Sequence, residues 1–159
     1  MSKENTLDIL ISKAIDEEIN AQQFYLKALG REVDDQTRHF LEELVEDEKR
    51  HEMMLRNLRE VEIYDKDLTI DSSLLEEIRS KYMISELAWS DSITMESVLD
   101  MAQKREYKAV QFFSKMSELP IHPEIQTLFL KMKEEEEGHH REIENRFLAL
   151  RGELGNELG

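Results

Sequence analysis

Two short signatures, Glu48-x-x-His51 and Glu136-x-x-His139, each put a carboxylate and an imidazole three residues apart. On a helix that spacing is about 60° of rotation and about 4.5 Å of rise, so both groups reach one point from the same side. Two further acids, Glu18 and Glu106, interrupt otherwise apolar stripes. All six residues stand at phases where a packed helix would ordinarily carry Leu or Ala. Burying four carboxylates together without counter-charge costs several kcal/mol per ion. Two divalent cations would balance them, and neutral imidazoles would complete the shells. One Glu from each of two helices with a Glu-x-x-His from each of the other two is the donor set of a dinuclear carboxylate centre. Mixed carboxylate and imidazole ligation suits iron or manganese, with zinc or cobalt as alternatives. Ala14 and Ala21 flank Glu18, and Ala102 and Ala109 flank Glu106 identically, leaving space for a metal pair and an exogenous ligand or for close helix packing.

Other residues of the same kinds are less well placed. Glu137 with His140 is a rival pair, but the phase of Met132 and Ile143 favours Glu136 with His139. The rest of the run Glu134-Glu135-Glu136-Glu137 reads as water-facing, with His140 beside the centre or exposed. His39 and His122 read as surface or turn residues. His51-Glu52-Met53-Met54-Leu55 opens like a zinc-protease motif but ends in Leu where that motif needs a second His. Tyr25 and Tyr107 read as core-packing residues, with a hydrogen bond near the metals as the alternative. Gly138, between Glu136 and His139, is unexpected in a helix, and a local bulge is one reason for a glycine there.

An internal repeat supplies the elements that carry these residues. Sliding the sequence by 88 positions brings Thr6–Arg59 onto Thr94–Phe147 without a gap. Identities include Glu18/Glu106, Ala21/Ala109, Phe24/Phe112, Glu48/Glu136 and His51/His139. Each repeat, 6–61 and 94–150, reads as two helices. In the first helix Leu7, Ile11, Ala14, Glu18, Ala21, Tyr25 and Ala28 share a face behind a Thr6 cap, and Gly30 ends it. The second opens near Asp34 or Asp35 and carries Leu41, Leu44, Glu48, His51 and Leu55. The later half repeats this with Leu99, Ala102, Glu106, Ala109 and Phe113. After Pro120 and Pro123 come Phe129, Met132, Glu136, His139 and Ile143. Gly152 and Gly155 mark a flexible tail over 153–159.

Between the halves, 62–93 is a connector in which Ser73-Leu74-Leu75-Glu76 reads as a capping box. Ile78, Tyr82, Met83, Leu87 and Trp89 make it too apolar for a floppy linker. A helix of about 27 residues is roughly 40 Å long, a span this connector can run back along. The second and third bundle helices are then parallel and the halves related by a pseudo-two-fold. The expected fold is all-α, a four-helix bundle with a long helical crossover, forming one domain over 1–152.

Composition agrees with that class. None of the 5 Gly and 2 Pro of the 159-residue chain falls between Arg31 and Leu119, which fits long helices. The absence of Cys excludes disulfides, thiolate metal sites and a Cys nucleophile. The net charge of −15 argues against nucleic acid as a partner, because phosphates would be repelled. Met1–Asn5 lacks the apolar stretch of a signal peptide, and no run approaches a membrane span, so a cytoplasmic location is expected. A homodimer or higher homo-oligomer is expected too, with apolar connector residues, Trp89 among them, covering a partner or packing within the chain.

At these residues the sequence resembles the ferritin-like superfamily, most closely the rubrerythrin family. The resemblance spans Thr6–Phe147 and rests on Glu18-x-x-Ala21-x-x-Phe24-Tyr25, Glu48-x-x-His51, Glu106-x-x-Ala109-x-x-Phe112-Phe113 and Glu136-x-x-His139. It implies two irons bridged by Glu48 and Glu136, with Glu18 and His51 completing one shell and Glu106 and His139 the other. It also implies an oxidoreductase that reduces peroxide or oxygen while a diferrous centre is oxidised. The alternatives are a ferroxidase serving iron storage or delivery, and a non-catalytic metal-binding bundle. Two departures stand out. Typical rubrerythrins carry a four-Cys rubredoxin-like domain, absent here, so electrons would come from a separate donor. They also carry a Glu three residues after the third-helix Glu, where this chain has Ala109.

Overall fold

The computed structural model describes residues 6–31, 33–82 and 87–158, so the readings on Met1–Asn5, Met83, Gly159 and the Tyr82 side chain lie outside the described residues. Helix α1, Leu7–Leu29, begins at Thr6 and is followed by Gly30 in a right-handed helical conformation. Asp34 then caps α2, Asp35–Leu58, by accepting from the Thr37 amide at 2.7 Å. The chain next doubles back. The Leu7 amide donates to the Leu68 carbonyl at 2.9 Å, and Thr6 pairs with Thr69 in an isolated antiparallel bridge.

The short helix α3, Ser72–Glu77, is capped by Asp71, which accepts from the Ser73 and Leu74 amides. The expected capping box at Ser73 is therefore displaced. A carboxylate at the N-cap reaches two free amides at once, and the helix starts two residues earlier. It continues as a π-helical turn, Ile78–Tyr82. Thr94 caps α4, Met95–Ser117, by accepting from the Ser97 amide at 3.1 Å. Pro123 opens α5, Pro123–Leu158, at the first-turn position where its missing N–H is not needed.

Glycine does not interrupt α5 among the described residues. The helix α5 runs unbroken through Gly138, with no bulge, and continues past Gly152 and Gly155 into the segment read as a tail. A glycine inside a helix costs about 1 kcal/mol against Ala, which a long packed helix tolerates without changing its hydrogen bonding.

The core is split into two apolar layers. One gathers Leu10 and Ile11 of α1, Leu55 of α2, Ile78, Met116 of α4 and Phe129 of α5. The other gathers Phe24 and Tyr25 of α1, Leu41 and Leu44 of α2, Leu99 of α4 and Ile143 of α5. The end of α2 thus shares a layer with the end of α4, and their starts share the other, so these two helices run parallel and the connector crosses from one layer to the other. Trp89 packs edge-on against Phe24 with ring centroids 5.8 Å apart, inside the chain. Each large side chain buried this way contributes about 1.5–3 kcal/mol. Among the described residues, no helix is long and apolar enough to cross a membrane.

Candidate metal centre

Between the two layers lies a band of buried charge. Glu18, Glu48, His51, Glu106, Glu136 and His139 are all buried, and α1, α2, α4 and α5 each supply part of the set. Their donor atoms fall into two overlapping groups, Glu18, Glu48, His51 and Glu136, then Glu48, Glu106, Glu136 and His139, each spanning no more than 4.8 Å. Glu48 and Glu136 belong to both groups, the sharing that the resemblance implies. His51 Nδ1 stands 2.7 Å from Glu136 Oε1, and His139 Nδ1 stands 3.3 Å from Glu48 Oε1. Ala14, Ala21, Ala102 and Ala109 are buried around the acids.

The residues present fit a metal. Both Glu48 oxygens, Glu106 Oε2, Glu136 Oε1 and the Nδ1 atoms of His51 and His139 are buried without a hydrogen-bond partner. Buried polar atoms are normally paired, so a cluster of orphans converging on one region is what a coordination site looks like without its ion. The imidazoles are also oriented as metal ligands are. His51 Nε2 faces Glu135 Oε2 at 2.6 Å, and His139 Nε2 faces Asp47 Oδ2 at 2.9 Å. An outer carboxylate that accepts a hydrogen bond from Nε2–H turns Nδ1 inward and makes it a better donor to a metal.

Asp47 and Glu135 are themselves equivalent under the 88-residue offset, each one residue before a donor Glu and each serving the histidine of the opposite helix pair. Arg50 holds both: Nη1 donates to the two Glu135 oxygens at 3.1 Å each, and Nη2 lies 3.5 Å from Asp47 Oδ1. Sequence reasoning placed Glu135 in a water-facing run. That reading is corrected, since Glu135 is only partly exposed and its carboxyl is held down to about 2, first by the His51 hydrogen bond and then by Arg50. The sequence signal for the pair is acid standing for acid at offset 88.

The largest omission is Arg105. Its side chain is 2% exposed, and its guanidinium lies among all four donor carboxylates. Nη1 is 3.0 Å from Glu106 Oε1, 3.1 Å from Glu48 Oε2 and 3.2 Å from Glu136 Oε2, while Nη2 is 3.2 Å from Glu18 Oε2. Arg is almost never buried unless paired, and here the pairing is fourfold. A seven-residue edge of α4, Val98, Arg105 and Phe112, is buried beside the Leu99, Glu106, Phe113 edge. Following only the second edge hid the first.

These contacts split the acids electrostatically. Burial, and then the charge of neighbouring acids, pushes Glu18 and Glu136 well above the usual carboxylate range. Burial also works against ionised Glu48 and Glu106, but Arg105 and hydrogen bonds from neighbours outweigh it and hold both below that range. Burial opposes charge on His51 and His139 too, yet contacts with the acids raise both.

The remaining candidates sort themselves by burial. Tyr25 is buried in the second apolar layer and also donates from its hydroxyl to Glu106 Oε1 at 3.1 Å, so it fills both roles weighed for it. Tyr107 fills neither: it is 57% exposed, its ring 6.1 Å from that of His140. Glu137 points to a surface pairing with Lys133 at 3.7 Å, and His39 to one with Glu43 at 3.1 Å. His122 is exposed in the turn before α5, its Nδ1 accepting from the Glu124 amide.

Comparison with known proteins bears on the first half of this arrangement. The family model described as Rubrerythrin matches residues 1–59. No curated protein and no solved structure matched the chain. The matched stretch holds α1 and α2, and with them Glu18, Glu48 and His51; the second pair repeats it at an offset of 88 residues. The chain is an all-α bundle of ferritin-like architecture, and its first helix pair is similar to the rubrerythrin family model.

Proposed function

We propose that this chain is a non-haem di-iron carboxylate oxidoreductase that reduces peroxide or dioxygen. The observation that carries the reading is the pair of overlapping buried donor groups sharing Glu48 and Glu136, whose inward-facing atoms stand in ion-pair contact but include six that make no well-formed hydrogen bond. In this reading Glu48 and Glu136 hold both metals, Glu18 and His51 complete one position, and Glu106 and His139 complete the other. Bound iron supplies the electrons and the Lewis acidity for oxidant reduction.

The chain's own residues do the rest. Glu135 and Asp47 fix the imidazoles with Nδ1 inward. Tyr25 donates to Glu106 Oε1 and keeps that carboxylate from rotating. The two apolar layers exclude water from above and below the polar band, which strengthens every charge interaction within it. These 159 residues contain no Cys, so reducing equivalents come from a group outside them. A homodimer or higher homo-oligomer is the assembly this reading carries.

The test is anaerobic loading with ferrous iron, measured stoichiometry, and then a challenge with peroxide or dioxygen followed in the near ultraviolet. Two irons per chain that oxidise faster than free ferrous iron support the reading. Stoichiometric binding with no acceleration overturns the catalytic part, and a large hollow assembly by light scattering would move the function to iron storage.

A further inference from the structure

The centre contains a charge that its metals do not need. Four carboxylates balance two divalent cations, and Arg105, whose guanidinium does not lose its proton in proteins, adds one more positive charge to the same band. The surroundings are otherwise arranged in pairs. Glu18 and Glu106, Glu48 and Glu136, His51 and His139, and Asp47 and Glu135 all correspond under the 88-residue offset. The counterpart of Arg105 is Glu17, which stays partly buried at the edge of α1 and lines a surface pocket with Lys13, Asp16 and Arg79. Arg105 breaks the pseudo-symmetry inside the band of donor acids, and it touches every one of them.

Resting on the metal-centre reading above, we infer that Arg105 is a resident cation that competes with the metals: it pairs the four carboxylates in the metal-free chain and lowers the centre's affinity for divalent ions. Metal–oxygen bonds to carboxylates are about 2.0–2.2 Å long, much shorter than the N–H···O contacts made here. Oxygens drawn in to a metal at that distance leave the guanidinium nitrogens. A guanidinium that stays in place leaves one uncompensated positive charge in a band walled by hydrocarbon. Either way, loading works against Arg105. In the metal-free chain the same side chain performs the opposite service and prevents four acids from facing one another unpaired.

The test uses Arg105→Gln and Arg105→Met, both uncharged, with Arg105→Lys as the variant that keeps the charge. Chelator-treated full-length proteins are titrated with Mn2+, and anaerobically with Fe2+, by calorimetry. Thermal midpoints are recorded with and without metal. Removing the charge is expected to tighten divalent binding by about tenfold or more, to lower the metal-free midpoint, and to enlarge the midpoint gain on loading; Lys stays near wild type. A variant unfolded without metal but folded by Mn2+ is the extreme form of the same result. Wild type that binds metal while Gln and Met variants bind it equally or more weakly, or remain unfolded with it, overturns the inference and leaves the metal centre standing. If wild type and all variants fail to bind either ion, the metal-centre reading itself falls, and this inference with it.

Discussion

The first helix pair, α1 with α2, and the second, α4 with α5, present the same donors at the same offset, but their neighbours differ. Where α1 has Glu17 at the surface, α4 has Arg105 among the acids. Where α1 has Tyr25 bonded to Glu106, α4 has Phe113, packed on Phe112 and Phe129. Where α2 has Arg50 reaching both outer carboxylates, α5 has Gly138. In the proposed centre, donors that face each other across a pseudo-two-fold must match, because Glu48 and Glu136 belong to both donor groups. Groups that only tune charge or orientation need to exist once. One Arg50 supports both Asp47 and Glu135, and one Arg105 reaches all four acids.

The comparison is broken most severely by removing a shared donor. Glu48→Ala and Glu136→Ala should each abolish stoichiometric metal loading, and to the same extent, as measured by elemental analysis after anaerobic iron addition. A variant that keeps full metal content would show that the halves are unequal at the donors themselves. The outer carboxylates come next. Asp47→Asn and Glu135→Gln should each weaken metal affinity by about 10–100-fold, the usual scale for a lost outer hydrogen bond to a ligating His. Glu135→Gln should be the worse of the two, because its contact is 2.6 Å against 2.9 Å and it also anchors Arg50. Equal losses would reduce Arg50 to an ornament of the surface.

Tyr25→Phe probes the second difference. It removes the hydroxyl that donates to Glu106 Oε1 and leaves a buried acceptor with less compensation, so metal-free stability should fall by about 1–3 kcal/mol in denaturant titration. The counterpart Phe113 lies in the other apolar layer, where a hydroxyl would meet hydrocarbon, so Phe113→Tyr should destabilise as well. A neutral Tyr25→Phe would mean that Arg105 alone satisfies that oxygen.

Most of the fold was legible because it rests on periodicity. The stripes of α1, α2, α4 and the first turns of α5, the crossover and the parallel α2 and α4 all follow from where apolar residues recur. The six donors were legible as polar residues in those stripes. What surrounds them was harder to read. Arg105 lies on the second buried edge of α4, and nothing in a single stripe marks an Arg as buried; only the acids of three other helices make that position tolerable. Asp47 and Glu135 reach across to the opposite pair, a contact that depends on how the hairpins face each other rather than on local spacing. The bulge weighed at Gly138 was a reading from propensity alone, and the regular helix overrode it.

Gly138 is also where the smallest effect lies. Its backbone is ordinary α-helix, no glycine of the described chain has a positive φ, and a Cβ added there would meet no atom within 4 Å. Neither conformation nor space demands glycine, so the residue contributes only its helix penalty. Gly138→Ala should therefore stabilise the chain by about 0.5–1 kcal/mol, through the lost freedom of the unfolded state. The substitution also tests why Arg50 has no partner at offset 88. If Gly138→Ala raises stability and leaves metal affinity unchanged, that position is simply unneeded once Arg50 holds both outer acids. If affinity falls while the helix is stabilised, the open space beside Glu136 and His139 is itself used, and the difference between α2 and α5 at that turn belongs to the centre.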